Sequence, residues 1–277
     1  MKWLQAFAQH VPQHKYAIDA ALLGDETALP WSNLGLWTKE ISYPQACHQL
    51  ACHLADHLNL NSKDRVLDLG CGQGASLSLW KTHYQVNYVE AVELQVACVD
   101  KIIKQYQNLV DKIHCGSFLN LNADDFEFKF DAVLCIDAAY HVNLNSFLDS
   151  VKTVLNSKAR IGFHYLALSA QAAHLNSLER IKLKTLLKAA DVRFLNLNSY
   201  TATQNILEQQ GFEHIQIQNL SEAVFHGFAN YVQQSEQIQS APWSVDRLKI
   251  QMTAKLCEKL YREGWIDYVQ ITAQLKN

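Results

Sequence analysis

The chain has 277 residues, 49 % hydrophobic and 18 % charged, with a net charge of −3. That balance suits a globular chain with one sizeable core and gives no electrostatic case for a nucleic-acid partner. Seven cysteines, none in a CxxC pair, argue against a zinc ribbon and a disulfide framework and for reduced thiols in the cytoplasm.

Residues 1–10 lack the charged start and apolar run of a secretory leader, and no stretch has the length of a membrane span. Four prolines and ten glycines leave little linker material. Residues 1–277 therefore read as a single domain with cap elements within 1–45, 168–200 and 222–263.

In chain order, residues 1 to about 45 read as a helical arm with an irregular segment, LPWSNLGLW at 29–37. A helix is predicted over 44–58, with Ala46, Leu50, Leu54 and Leu58 on one stripe and Pro44 in its first turn. Strands follow at 65–69, 86–92, 112–115, 130–136 and 160–166, alternating with helices at 75–84, 96–109 and 147–155. This alternation implies a parallel sheet with right-handed crossovers. The pattern then changes to helices over 170–192 and 200–210, a strand at 212–220, helical stretches over 222–239 and 244–263, and a last strand at 267–275.

The strongest local signal is VLDLGCGQGA at 66–75. An apolar strand runs into three alternate glycines, Gly70, Gly72 and Gly74, and then into a helix. Glycine adopts dihedrals closed to other residues and lets backbone approach a ligand closely. The helix start presents free N–H groups and a partial positive charge. Gly70, Gly72 and Ala75 also satisfy the dinucleotide spacing GxGxxG/A. Asp68 opposes that reading, because an acid just before the turn would face a pyrophosphate. It suits a ligand carrying an ammonium group, as S-adenosylmethionine does. Glu93 follows the second strand, where a carboxylate can accept both ribose hydroxyls. Glu90 is its competitor but lies within the apolar run.

The segment VLDLGCGQG closely resembles the cofactor motif of class I S-adenosylmethionine-dependent methyltransferases. The residues WSNLGLW, Tyr43 and Ala46-Cys47 are similar to the N-terminal segment of the small-molecule branch, which includes sterol, tocopherol and natural-product methyltransferases. DAAYH at 137–141, the stretch 198–220 and the last strand resemble later parts of the same fold. The resemblance implies a Rossmann-like α/β fold: a seven-stranded, mostly parallel sheet with an antiparallel last strand, helices on both faces and a helical cap. It implies that the three glycines pack on the methionine part and that Asp68 orders its amino end. Glu93 would take the ribose, Leu94 the adenine face, and Ser117 and Phe118 the adenine edge, with Ser117 replacing a common Asp. Asp137 would border the methionine and acceptor side, and Trp37 and Tyr43 would close over the cofactor. Residues 156–159, NSKA, replace the usual Pro-Gly-Gly turn.

Methyl transfer to a hydroxyl or an acidic carbon needs a base. His141, a few residues past the fourth strand, is the first candidate, with Tyr140 as an orienting neighbour and His164 as a second base candidate. Phe194, Tyr200, Phe225, Phe228, Tyr231 and Trp243 suggest an apolar acceptor. Arg180, Lys184 and Lys188 recur every four residues opposite Leu183, Leu186, Leu187 and Ala190. That face suits solvent, and membrane-surface contact is the alternative. Two other functions fit the motif: a nicotinamide-dependent oxidoreductase and a non-catalytic cofactor-binding partner protein. A cyclopropane synthase is a third variant, without a recognisable set of extra acids. No metal site is expected, and the sequence is silent on oligomeric state.

Overall fold

The structure, a computed structural model, describes residues 20–277. Residues 1–19 of the predicted N-terminal arm lie outside the described residues. Residues 20–42 contain no helix and begin with a turn.

The strands are β1 (Arg65–Leu69), β2 (Tyr88–Glu93), β3 (Lys112–Cys115), β4 (Phe130–Cys135), β5 (Leu155–Leu168), β6 (Asn198–Ser199), β7 (Phe212–Asn219) and β8 (Ile266–Leu275). Seven run side by side in the order β3-β2-β1-β4-β5-β8-β7, and the two-residue β6 pairs with the end of β5. The pairs among β1 to β5 are parallel, and β8 lies antiparallel to both neighbours. The direction of winding reverses between β1 and β4. A crevice opens at such a point, beyond the carboxyl ends of the strands.

The helices are α1 (Tyr43–His57), α2 (Ala75–Thr82), α3 (Val96–Gln105), α4 (Leu144–Lys152), α5 (Ser177–Ala189), α6 (Tyr200–Gln209), α7 (Gly227–Gln234), α8 (Glu236–Ser240) and α9 (Val245–Glu263). One core cluster joins Leu67, Phe130 and Phe163 of the sheet to Phe147 of α4 and Leu207 of α6. A second joins Val66, Val89 and Leu134 to Leu54 of α1, Leu77 and Trp80 of α2 and Ile102 of α3. The helices thus lie on both faces. A third cluster builds the cap, from Tyr43 and Leu50 to Leu183, Phe225, Phe228, Ile250 and Tyr268.

Three differences from the predicted elements have local causes. First, residues 156–159 are not a turn but part of a longer β5, irregular in register against Phe130 and Ala132, with Lys158 at φ +60°. Arg160 donates to the carbonyls of Leu58 (2.7 Å) and Asn59 (2.8 Å) at the end of α1 and pairs with Asp64. Second, the stretch 170–192 breaks into a 3-10 turn, Ala170–His174, and α5. The break is set by a capping box: Asn176 accepts from the Glu179 amide (3.0 Å), and Glu179 accepts from the Asn176 amide (2.9 Å). Third, the stretch 222–239 breaks into a π-turn, Glu222–His226, then α7 and α8, with Ser235 capping α8. Gly227 at this joint admits Trp37, since a Cβ there would lie 2.4 Å from the Trp37 Cβ. Among the described residues, no helix is long and apolar enough to cross a membrane.

Candidate functional site

The loop leaving β1 contains the glycine turn. Gly70, Gly72 and Gly74 have φ of +76°, +55° and +95°, values that side chains disfavour. The Gly70 amide donates to the Val92 carbonyl of β2 (2.8 Å). A Cβ on Gly70 would lie 3.1 Å from that of Ala138, and one on Gly72 would lie 3.1 Å from the Ser32 hydroxyl. The turn is therefore pressed between the segment after β4 and the segment 31–37. Lys101 of α3 anchors it laterally by donating to Gln73 (2.7 Å).

Asp68, the fourth residue of β1, is buried. Its carboxylate accepts from the Trp80 indole N–H (2.7 Å) and is hydrogen-bonded by Ser76. Burial pushes its carboxyl up to about 6. The Ser76 and Trp80 hydrogen bonds pull it back down, and the neighbouring Glu93 adds to the rise. Ser76 and Trp80 escaped the sequence reading. Their four-residue spacing just after the glycines was the available signal, because it puts both on one face of α2.

Glu93 ends β2 and is also buried. One carboxylate oxygen accepts from the Gly72 amide (2.9 Å) and the other from the Gln95 amide (2.8 Å). Its competitor Glu90 is fully buried and already engaged, with His114 at 2.6 Å and the Tyr88 hydroxyl at 2.5 Å. Leu94, next to Glu93, is 61 % exposed. At Gly116, past β3, a Cβ would meet nothing within 4 Å. An open apolar shelf therefore lies beside Glu93. Ser117 uses its hydroxyl to cap a short turn, accepting from the Leu119 amide (3.2 Å), and Phe118 packs edge-on against Phe147 (5.7 Å).

Past β4, Asp137 sits at φ +53°, an unusual conformation for a residue with a side chain. Its carboxylate accepts from the Leu34 amide (2.9 Å) and from the Tyr268 hydroxyl of β8. Burial pushes its carboxyl up to about 6, against the effect of the Tyr268 and Leu34 hydrogen bonds. Asp137 thereby ties the segment 31–37 to the last strand. No sequence signal pointed to Tyr268 or Leu34, which lie far from Asp137 along the chain.

Trp37 stacks on Tyr231 of α7 (4.4 Å) and donates its indole N–H to the Leu34 carbonyl (2.8 Å). Tyr43 is fully buried, and its hydroxyl donates to the Asn33 carbonyl (2.9 Å). Both hold the segment 31–37 in place. His141 ends a short turn that also contains Tyr140. Its Nδ1 lies 3.3 Å from the Asp191 carbonyl, and its own carbonyl accepts from Asn196 (3.2 Å). His164, in contrast, is fully buried in β5. Burial pushes it down to about 3, so it stays neutral and out of reach as a base. Trp243 is 77 % exposed and is not part of the apolar cap.

The structure thus places Asp68, the three glycines, Glu93, Leu94 and Ser117 along the carboxyl edge of β1, β2 and β3. Asp137, Tyr140 and His141 follow on the β4 side. Two surface grooves beside Trp31 and His48 contain none of these side chains. Two buried acids, glycines that keep side chains out and an open shelf fit a cationic nucleoside. Among the described residues, no cluster of three or more His, Cys, Asp or Glu could hold a metal ion.

Residues 44–217 match the family model of a methyltransferase domain. The chain belongs to this methyltransferase family. A stretch of 102 residues is 32 % identical to an uncharacterized protein of Methanocaldococcus jannaschii, covering 36 % of this chain and 40 % of that one. The chain thus spans less than half the length of this curated relative. Among solved structures, the fold is similar to a geranyl diphosphate C-methyltransferase from Streptomyces coelicolor A3(2), bound to Mg2+, a substrate thiolo-analogue and S-adenosyl-L-homocysteine. That likeness has a TM-score of 0.70 at 15 % identity and covers 99 % of this chain and 98 % of that one. A putative sarcosine dimethylglycine methyltransferase from Galdieria sulphuraria aligns with a TM-score of 0.72 at 13 % identity, over 92 % and 96 % of the two chains. A mycolic acid cyclopropane synthase complexed with S-adenosyl-L-homocysteine aligns at 0.66 and 18 %, over 87 % and 88 %. At these identities the structural likeness establishes the fold.

Proposed function

We propose that the methyltransferase binds S-adenosylmethionine at the carboxyl edge of β1 and β2 and transfers its methyl group to an O, N or C atom of an apolar small molecule. The single observation that carries this reading is the pair of buried acids, Asp68 and Glu93, flanking one positive-φ glycine turn. Asp68 meets the amino end, directly or through water, and the glycines pack on the methionine part. Glu93 accepts the ribose hydroxyls. Each carboxylate oxygen has a second lone-pair direction, so the bonds from Gly72 and Gln95 leave acceptor capacity. Leu94 covers the adenine, with Ser117 and Phe118 at its edge, and Asp137 borders the methionine and acceptor side. Trp37 and Tyr43 hold the segment that closes over it.

The bound cofactor supplies a methyl group already activated on a sulfonium. The chain's residues hold donor and acceptor in line and exclude water, which is catalysis by positioning. The aromatic cap cluster, with Phe225, Phe228, Tyr231 and Tyr268, supports an apolar acceptor. The cytoplasmic location is read from the seven cysteines, none of them in a CxxC pair.

His141 is assigned as the base for acceptors that must lose a proton, with Tyr140 orienting them. A bond from its Nδ1–H to the Asp191 carbonyl would put the lone pair on Nε2. We expect His141→Ala to lower turnover roughly 100-fold with cofactor affinity unchanged. Near-normal turnover in a radiolabelled methyl-transfer assay removes the assignment.

The function itself is tested by calorimetry with S-adenosylmethionine and with a nicotinamide dinucleotide, followed by a methyl-transfer screen over terpenoid, lipid, phenol and amine acceptors. Cofactor binding with methyl transfer to an apolar acceptor is expected. Dinucleotide binding would mean an oxidoreductase, and cofactor binding without transfer to any acceptor would mean a partner protein.

A further inference from the structure

Helix α5 and the loop that follows it carry a surface that the methyl-transfer chemistry does not use. Leu178, Ile181 and Leu195 are 79 %, 62 % and 90 % exposed. Leu178 and Ile181 are three residues apart, and Lys184 and Lys188 continue the same helix face three and seven residues past Ile181. The opposite face, with Leu183 and Leu187, is buried in the cap. Folding has therefore already partnered the inner apolar stripe, and Leu178 and Ile181 belong to a second, outward stripe. Arg180, Lys184, Lys188 and Arg193 border it. Among the described residues, none of these four is in an ion pair, whereas Lys182 is neutralised by Glu263 (2.6 Å). Lys184 lies 5.7 Å over the Phe194 ring, which joins Leu195 to the patch. A basic rim around exposed aliphatic side chains, on a chain whose net charge is −3, departs from the overall sign of the molecule.

The position of the patch relates it to the site. β5 runs to its carboxyl end at Leu168, and α5 follows after one short turn. α5 and the glycine turn thus both follow strand ends on the carboxyl edge of the sheet. The loop after α5 also supplies Asp191 and Asn196, which hydrogen-bond His141.

We propose that this face docks on an anionic lipid surface, from which the apolar acceptor reaches the site. The part concerning the acceptor rests on the methyl-transfer reading above. Aliphatic side chains enter the headgroup boundary, and cations beside them are attracted to anionic headgroups. Zwitterionic lipid offers the first interaction without the second.

The test is co-sedimentation of the full chain with phosphatidylglycerol-containing vesicles and with pure phosphatidylcholine vesicles, at low salt and at high salt. We expect binding to the anionic vesicles that falls at least tenfold in phosphatidylcholine or in high salt. Lys184→Glu/Lys188→Glu and Leu178→Ser/Ile181→Ser should each weaken it on the order of tenfold. Lys63→Glu/Lys129→Glu, the same charge change at positions preceding β1 and β4, should leave it within twofold. Absence of vesicle binding overturns the proposal, as does equal loss in the control variant. Calorimetry with S-adenosylmethionine on the same preparations separates the two readings. Intact cofactor binding without vesicle binding removes only the docking surface.

Discussion

Glu93→Gln is expected to weaken S-adenosylmethionine binding on the order of 100-fold. Glu93 has two tasks, accepting the Gly72 and Gln95 amides at 2.9 and 2.8 Å and presenting its remaining acceptor capacity to the ribose. An amide has one acceptor oxygen and one NH2 donor. Whichever way it turns, a donor faces either the Gly72 or the Gln95 N–H, and the negative charge is gone. Hydrogen bonds to charged groups contribute roughly 1.5–3 kcal/mol each, and loss of one or two at a buried site gives about this factor. The measurement is calorimetry, with a thermal melt to show that the fold persists. An affinity within threefold of the wild type would remove Glu93 from the nucleoside site. Where the NH2 faces Gly72, the Gly72 amide loses its partner and the turn loosens, visible as faster amide exchange at residues 70–74.

Asp68→Asn tests the other half of the crevice. Its effect should depend on pH. The carboxyl of Asp68 is pushed up to about 6 by burial, so the ligand-free folded protein holds it neutral at pH 5. An unfolded chain releases that proton near 3.8, and folding stability from this group therefore falls as pH rises from about 4 through about 6. A cationic ligand has the opposite preference. It needs the carboxylate, so its binding releases a proton in this window. Affinity should fall as pH drops below about 6, approaching one proton per site in slope. Asp137, also near 6, adds its own share of pH dependence. In Asp68→Asn, affinity at pH 7.5 should be roughly tenfold to 100-fold weaker, and the Asp68 part of the slope should disappear. Calorimetry at pH 5, 6 and 7.5 in buffers of different ionisation enthalpy reads both affinity and protons released. An unchanged slope in the variant would show that Asp68 does not face the ammonium group. The Trp80 indole is part of this device, because its N–H at 2.7 Å stabilises the ionised form.

The two acids differ in how far the sequence reveals their surroundings. Glu93 was separable from Glu90 because strand ends, and not strand interiors, face a crevice. In the structure Glu90 is sealed by Tyr88 and His114, partners at nearby positions on β2 and β3. Asp68 was recognisable as the acid before the turn, but not as one held by Ser76 and Trp80. His141 was placed by its distance past β4. Its contact with Asp191 depends on a loop fifty residues further on. His164 shows the reverse: adjacency to a strand end suggested a base, and burial between the sheet and the cap makes it an inert neutral ring. Trp243 looked like a cap aromatic in composition and is at the surface. An aromatic count has no direction, and packing supplies it.

The order of strands and helices, the parallel sheet and the glycine turn were determined by the sequence itself. Each is encoded locally, in apolar runs, periodicity and residues without a Cβ, and local signals survive without knowledge of what packs where. The tertiary structure alone decided that 156–159 extends β5. It also decided that Asp137 joins Leu34 to Tyr268 across the cap. Those outcomes turn on contacts between residues remote along the chain, whose energies depend on burial and exact distance. No one-dimensional pattern carries that information.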